Sequence, residues 1–153
     1  MERGDYTYRL EDFVLAEGVE NALSKLKNAG YLLVVVTNQA GLSRGIYSRE
    51  QMNACHEKLQ KLCDGAIDEI YYSPYHPTIT ESLSRKPGTL MFERAIAKFQ
   101  IDPMQSHMVG DRERDLIPAK KLGMQTVLVG NEASDYADEN ATSLAEFAAR
   151  LVS

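Results

Sequence analysis

Apolar positions recur along this chain in two alternating rhythms. In "EGVENALSKLKNAG", Val19, Leu23 and Leu26 fall on one face of a 3.6-residue helix, and Gly30 supplies the C′ residue that ends it. "YLLVVVTNQ" then runs apolar and β-branched, the pattern of a parallel strand buried on both faces. "SREQMNACHEKLQKLCDG" opens with a Ser48-x-x-Gln51 capping box, and Met52, Cys55, Leu59 and Leu62 return at helical spacing. "IDEIYYS" predicts another strand, after which Pro74, Pro77 and their Ser/Thr neighbours mark a loop reaching to Pro87. Beyond it the pattern predicts a helix near residues 89–99, the strand "HMVGD", a helix near 113–122, the strand "QTVLVG" and a terminal helix "SLAEFAARLV". Such alternation predicts an α/β fold, a doubly wound parallel sheet with helices on both faces.

Sheets of this kind gather their chemistry at the carboxyl ends of the strands. Thr37 and Asn38 close the first strong strand and offer a hydroxyl, an amide and backbone N–H groups to phosphate oxygens. In the following "QAGLSRG", Gly41 and Gly45 permit tight turns and Arg44 is a candidate anion contact. Arg85 and Lys86 precede the helix near 89, where Lys86 is placed to neutralise charge growing on a transferring phosphoryl group. In "HMVGDRERD", Asp111 follows a strand and is a candidate ligand for a divalent metal, with a second carboxylate at Asp115. One or two carboxylates seldom hold Mg²⁺ unaided, so this pair is half of a site.

Each residue also has a plain structural role. Thr is common in strands, Asp111 would serve as a helix N-cap, and Arg85 and Lys86 would serve as solvated surface charge. His56, His76 and His107 are too scattered for a metal cluster. The ordered combination is what points to phosphoryl chemistry.

Composition narrows the class further. The 153 residues, 44% hydrophobic and 25% charged, suit one domain with one core. A net charge of −5 argues against a general nucleic-acid or anionic-membrane binder. Cys55 and Cys63 are eight positions apart on a predicted helix, about 12 Å along its axis, too far for a disulfide. Reduced cysteines and the lack of an apolar leader in "MERGDYTYRLEDF" predict a cytoplasmic protein. No long exposed apolar stripe is evident, so a monomer is expected.

The chain resembles the haloacid dehalogenase superfamily. Thr37 matches its motif II, Lys86 its motif III and "GDRERD" its motif IV. "VVVTNQAGLSRG" and "RKPGTLMFERA" look like signatures of the branch that holds histidinol-phosphate and D-glycero-D-manno-heptose-bisphosphate phosphatases. Response-regulator receivers also combine Asp, Thr and Lys, but there the acidic residues come first, whereas here the order is Thr37, Lys86, Asp111. The resemblance implies a Mg²⁺-dependent phosphatase acting on a small phosphorylated substrate through an aspartyl-phosphate. It implies that Thr37 and Lys86 stabilise the phosphoryl group, Asn38 and Gln39 line the pocket, and Arg85 recognises substrate. Arg112 would hold a distal phosphate. Asp111 would bind Mg²⁺, and Asp115 would serve the metal by orienting its water.

Two departures from the family pattern matter. Relatives begin with a mid-sheet strand ending in D-x-D-G, whose first Asp is the nucleophile, and this sequence contains no D-x-D. Residues 1–153 are therefore expected to be one phosphatase core domain that is incomplete at its amino end by roughly ten to twenty residues, and inactive alone. The rival expectation is a non-catalytic phosphate-binding or interaction domain. The branch's zinc loop, C-x-H followed by C-x-C-R-K-P, is also replaced. Ser73, Tyr75, Ser82 and Ser84 stand at its four ligand positions, and hydroxyls do not substitute for thiolate and imidazole. Purified protein should therefore contain no stoichiometric zinc, and chelators should leave its thermal transition unmoved. Elemental analysis finding about one tightly held Zn²⁺ per chain would refute this, since structural zinc contributes heavily to folding.

Overall fold

The computed structural model describes residues 18–38, 48–73 and 88–152. Helix α1 (Val19–Asn28) leads to strand β1 (Val34–Asn38), α2 (Arg49–Leu62) to β2 (Glu69–Ser73), and α3 (Leu90–Phe99) through a short 3₁₀ turn to β3 (His107–Gly110). Then come α4 (Glu113–Lys121), β4 (Gln125–Val129), β5 (Glu139–Ala141) and α5 (Leu144–Leu151). Every strand pair is parallel, as the alternation predicted. Among the described residues the strands form two hydrogen-bonded blocks, β1–β2 and β3–β4–β5.

Local signals explain most element ends. Gly30 follows the end of α1 with φ +94°, a conformation that favours glycine. Ser48 Oγ accepts the Gln51 N–H at 3.1 Å and Gln51 Oε1 accepts the Ser48 N–H at 2.8 Å, the reciprocal box read from the sequence. Two differences from expectation have physical causes. Strand β1 starts at Val34 rather than Tyr31, because the N–H and carbonyl of Leu33 are both taken by Asp68. Strand β5 was not anticipated: Glu139-Asn140-Ala141 is three residues long with only Ala141 buried, too short and polar to leave a pattern.

Packing joins the two blocks. Ala22 and Leu26 of α1 meet Ala148 of α5, with Leu33 and Leu151 against them. Phe147 of α5 covers Val127 and Ala141, with Val109 alongside. Thr126 and Leu128 point to the other side of β4 and are also buried, on the face where α4 packs against β3 and β4. Strand β4 is thus covered on both faces, as a parallel strand requires. No helix among the described residues is long and apolar enough to cross a membrane.

The amino edge of the sheet is fastened by charge. Lys27, Lys98 and Lys120 sit in the last turns of α1, α3 and α4, where cations complement the helix dipole. Each pairs with a carboxylate at or just before the start of a strand: Lys27 with Asp68 at 2.6 Å, Lys98 with Glu69, and Lys120 with Asp138 at 2.5 Å. Burial alone would raise the Asp68 carboxyl, but hydrogen bonds from Lys27 and the Leu33 N–H outweigh it and hold the group below the usual carboxylate range. The Lys98 hydrogen bond lowers Glu69, and the Lys120 hydrogen bond, with that from the Thr126 N–H, lowers Asp138. His56 in α2, beside the Tyr72 ring, is depressed by burial.

These shifts fix a pH dependence. A carboxylate lowered by folding stabilises the native state above its unfolded pKa of about 4 and loses that contribution as pH falls through its folded value. A histidine lowered by burial begins to oppose folding once pH drops below about 6.5. The thermal midpoint should therefore slip gently from pH 6.5 to 5 and fall steeply below pH 4, as read by circular dichroism. Asp138→Asn should lower the midpoint at neutral pH and make the acid limb shallower. An unchanged limb would show that the Lys120 pair adds nothing to folding.

Candidate active site

Parallel pairing brings the carboxyl ends of each block's strands to one edge of that block, and each block carries a candidate group there. Thr37 and Asn38 end β1 in register with Tyr72 and Ser73 of β2. Thr37 is half-buried and engaged with its surroundings. Gln39, Arg85 and Lys86 lie outside the described residues, as do Gly41, Arg44, Gly45, His76 and the loop positions Tyr75, Ser82 and Ser84.

The second group is tightly built. Strand β3 stops at Gly110, paired with Leu128 of β4, and Asp111 follows with its side chain exposed. Asp111 is not the helix cap that its position suggested. Arg112 is the N-cap residue of α4, in extended conformation, and the capping carboxylate comes from the third helical position, Asp115. Asp115 Oδ2 accepts the Arg112 N–H at 3.3 Å, and the Asp115 N–H donates to the Arg112 carbonyl at 3.0 Å. Asp115 is only 5% exposed. Its side chain lies so close over Gly110 that a Cβ there would stand 2.6 Å from Asp115 Cβ and 2.7 Å from Oδ2. Glycine is thus required at 110 by close approach rather than by backbone angle.

The flank of this turn is held as well. Ser134, in the segment between β4 and β5, donates its hydroxyl to Glu113 Oε1 at 2.7 Å, and its Oγ accepts the Tyr136 N–H at 3.1 Å. The sequence had flagged Asp111, Arg112 and Asp115 as neighbours but gave no sign of Ser134, which is distant in the chain. The Gly-Asp pair could have announced the close packing at 110, had Asp115 been expected to fold back.

The donor chemistry suits a hard divalent cation. Carboxylate oxygens are what Mg²⁺ prefers, and it is commonly held by one or two of them together with substrate phosphate. Asp111 is exposed and Asp115 is buried over Gly110, so the described residues place two carboxylates at this strand end. They contain no group of three or more His, Cys, Asp or Glu residues arranged for a metal. His107 packs on Phe147 with ring centroids 5.4 Å apart.

Known proteins resemble this chain in sequence and in fold. The HAD-hydrolase-like family model matches residues 83–152. The D-glycero-β-D-manno-heptose-1,7-bisphosphate 7-phosphatase of Haemophilus ducreyi is 40% identical over 130 residues, covering 79% of this chain and 71% of that protein. The chain belongs to the haloacid dehalogenase superfamily, in its heptose-bisphosphate phosphatase branch. The family is one of phosphoric monoester hydrolases. A Burkholderia mallei member, a D-glycero-α-D-manno-heptose-1,7-bisphosphate 7-phosphatase, is 33% identical over 96% of this chain and 79% of its own length. Among solved structures, the D,D-heptose 1,7-bisphosphate phosphatase of B. bronchiseptica, complexed with magnesium and phosphate, matches with a TM-score of 0.87 at 25% identity. That match covers 96% of this chain and 88% of the other.

Proposed function

We propose that this haloacid dehalogenase family member is the core of a Mg²⁺-dependent phosphatase for a small phosphosugar, a heptose 1,7-bisphosphate or a close analogue, with histidinol phosphate the next substrate class. The observation that carries this reading is Asp111, exposed at the carboxyl end of β3 just ahead of the helix turn that holds the buried carboxylate of Asp115. The magnesium and phosphate in the B. bronchiseptica relative support it. Bound there, Mg²⁺ would supply Lewis-acid neutralisation of phosphoryl oxygens.

Each residue then has a task. Asp111 ligates the metal, and Thr37 and Lys86 hold the phosphoryl oxygens as charge develops on them. Asn38 and Gln39 line the pocket, Arg85 recognises substrate, and Arg112 meets the distal phosphate. The attacking carboxylate is that of a D-x-D-G aspartate, a motif this sequence does not contain. The 153 residues alone accordingly hydrolyse phosphosugars at background. The protein works as a cytoplasmic monomer, with Cys55 and Cys63 free and buried.

The test compares the 153-residue chain with one extended by an apolar strand ending in D-x-D-G, both assayed with Mg²⁺ on the α and β anomers of heptose 1,7-bisphosphate and on histidinol phosphate. The extended chain should turn over a heptose bisphosphate while the shorter one does not. Turnover by the 153 residues alone at about 1 s⁻¹ or faster would place the nucleophile elsewhere and defeat the reading. Phosphate binding without turnover in both would favour a non-catalytic phosphate-binding domain. In the active form Lys86→Ala should cut kcat by roughly a hundredfold or more, the loss expected of a transition-state charge contact. Wild-type turnover would leave Lys86 as surface charge.

A further inference from the structure

The sulfur atoms of this chain are unequally placed. Oxidation by peroxide follows thiolate character and exposure, yet Cys55 and Cys63 are both buried. Burial pushes the Cys55 thiol up against the opposing charge of Lys58, and the Cys63 thiol donates to the Leu59 carbonyl at 3.0 Å. Neither therefore presents a thiolate to solvent. Met52 and Met91 are buried, and Met108 and Met124 are half-buried. Met104 is 80% exposed, the most open large apolar side chain among the described residues.

The turn that carries Met104 is firmly built. Pro103 opens a 3₁₀ turn over Pro103–Gln105, Asp102 Oδ1 accepts the Met104 N–H at 3.0 Å, and the Ser106 hydroxyl donates to the Asp102 carbonyl at 2.8 Å. The Ser106 carbonyl then accepts the Gln125 N–H at 3.0 Å, which ties the turn to the start of β4. A Cβ added at Gly123 would stand 4.0 Å from Met104 Cγ, an ordinary contact near the root of the side chain that leaves the thioether to water. We propose that Met104 is a surface oxidation site: a hydroperoxide converts its thioether to the sulfoxide ahead of every other sulfur among the described residues, and the fold carries the product unchanged. A lone pair of Sδ attacks a peroxide oxygen, the S–O bond forms as the O–O bond breaks, and hydrogen peroxide leaves as water. Sulfur gives up two electrons and the peroxide takes them. The polar product needs no new partner because water already surrounds it. Met108, by contrast, lies within β3 opposite Thr126, where a sulfoxide would set a polar oxygen against the sheet. Strand β3, His107–Gly110, also separates the turn from Asp111, so the modified side chain stands at the far end of the strand from the candidate site. Exposure leaves the sulfoxide open to the thiol-dependent reductases that return it to methionine.

The experiment treats the full chain with graded hydrogen peroxide and maps sulfoxide by peptide mass, with fragment ions to separate Met104 from Met108. Met104 should oxidise at a rate within a few-fold of free methionine, and many-fold faster than Met52 and Met91. Met108 and Met124 should trail it, and both cysteines should remain thiols at the dose that completes Met104. Oxidation of any of these sulfurs ahead of Met104 would overturn the proposal, as would a Met104 rate as slow as that of the buried methionines. A Met104→Leu variant, given the same dose, tests the second half. Treated wild type and treated variant should show the same thermal midpoint by circular dichroism. A lower midpoint in the wild type alone would mean that the Met104 sulfoxide damages the fold, and the proposal would fall.

Discussion

Asp68 takes both hydrogen-bonding groups of Leu33, accepting its N–H on Oδ2 at 2.8 Å and donating its own backbone N–H to the Leu33 carbonyl at 2.7 Å, while the same carboxylate holds Lys27. This knot lies one residue ahead of both β1 and β2, so it fixes their register before the ladder begins. Val34 then faces Glu69, and the pairing runs on to Asn38 opposite Ser73. A slip of one residue would turn every side chain of β1 to the other face. Val35 would leave the cluster it shares with Cys63, Ile67 and Ile70, and Thr37 would no longer end where it does.

A second knot repeats the device. Thr126, fully buried at the start of β4, donates its N–H to Asp138 Oδ2 at 2.9 Å, while its hydroxyl accepts the Asp138 N–H at 3.0 Å and donates to the Tyr136 carbonyl. Lys120 closes the set on the same carboxylate. As exposed salt bridges these pairs would contribute little. Their value lies in joining a helix end, a backbone N–H and a strand start at one carboxylate. Register is thereby specified at the amino edge, where all three of these lysine–carboxylate pairs lie.

The distribution of these knots explains what could be read in advance. Alternating apolar patterns revealed the helices and four of the strands because those elements bury one stripe or one run each. The Ser48–Gln51 box was legible because both partners lie within one turn. Asp68 with Leu33, Asp138 with Thr126 and Ser134 with Glu113 join residues far apart in sequence, and a buried threonine reads like any other strand residue until its partner is placed. At the site, the candidates Asp111, Arg112 and Asp115 were visible as one motif. Their arrangement was not, since it depends on Asp115 folding back over Gly110 and accepting the Arg112 N–H rather than pointing outward beside Asp111.

This fold-back bears on the proposed metal site. Two carboxylates turned outward at one strand end would repel each other and hold Mg²⁺ poorly without a phosphate to share it. Here Asp115 is buried and accepts the Arg112 N–H, which leaves Asp111 as the exposed carboxylate of a turn held from its flank by Ser134 on Glu113. The ordering of the turn is then complete before any ligand arrives, and the entropy of arranging it is not charged against binding. Arg112, the residue proposed to meet the distal phosphate, has its backbone set by the same carboxylate. One buried side chain thus touches the backbone on both sides of Asp111, packed over Gly110 and bonded to the Arg112 N–H, which is why position 110 has no room for a Cβ.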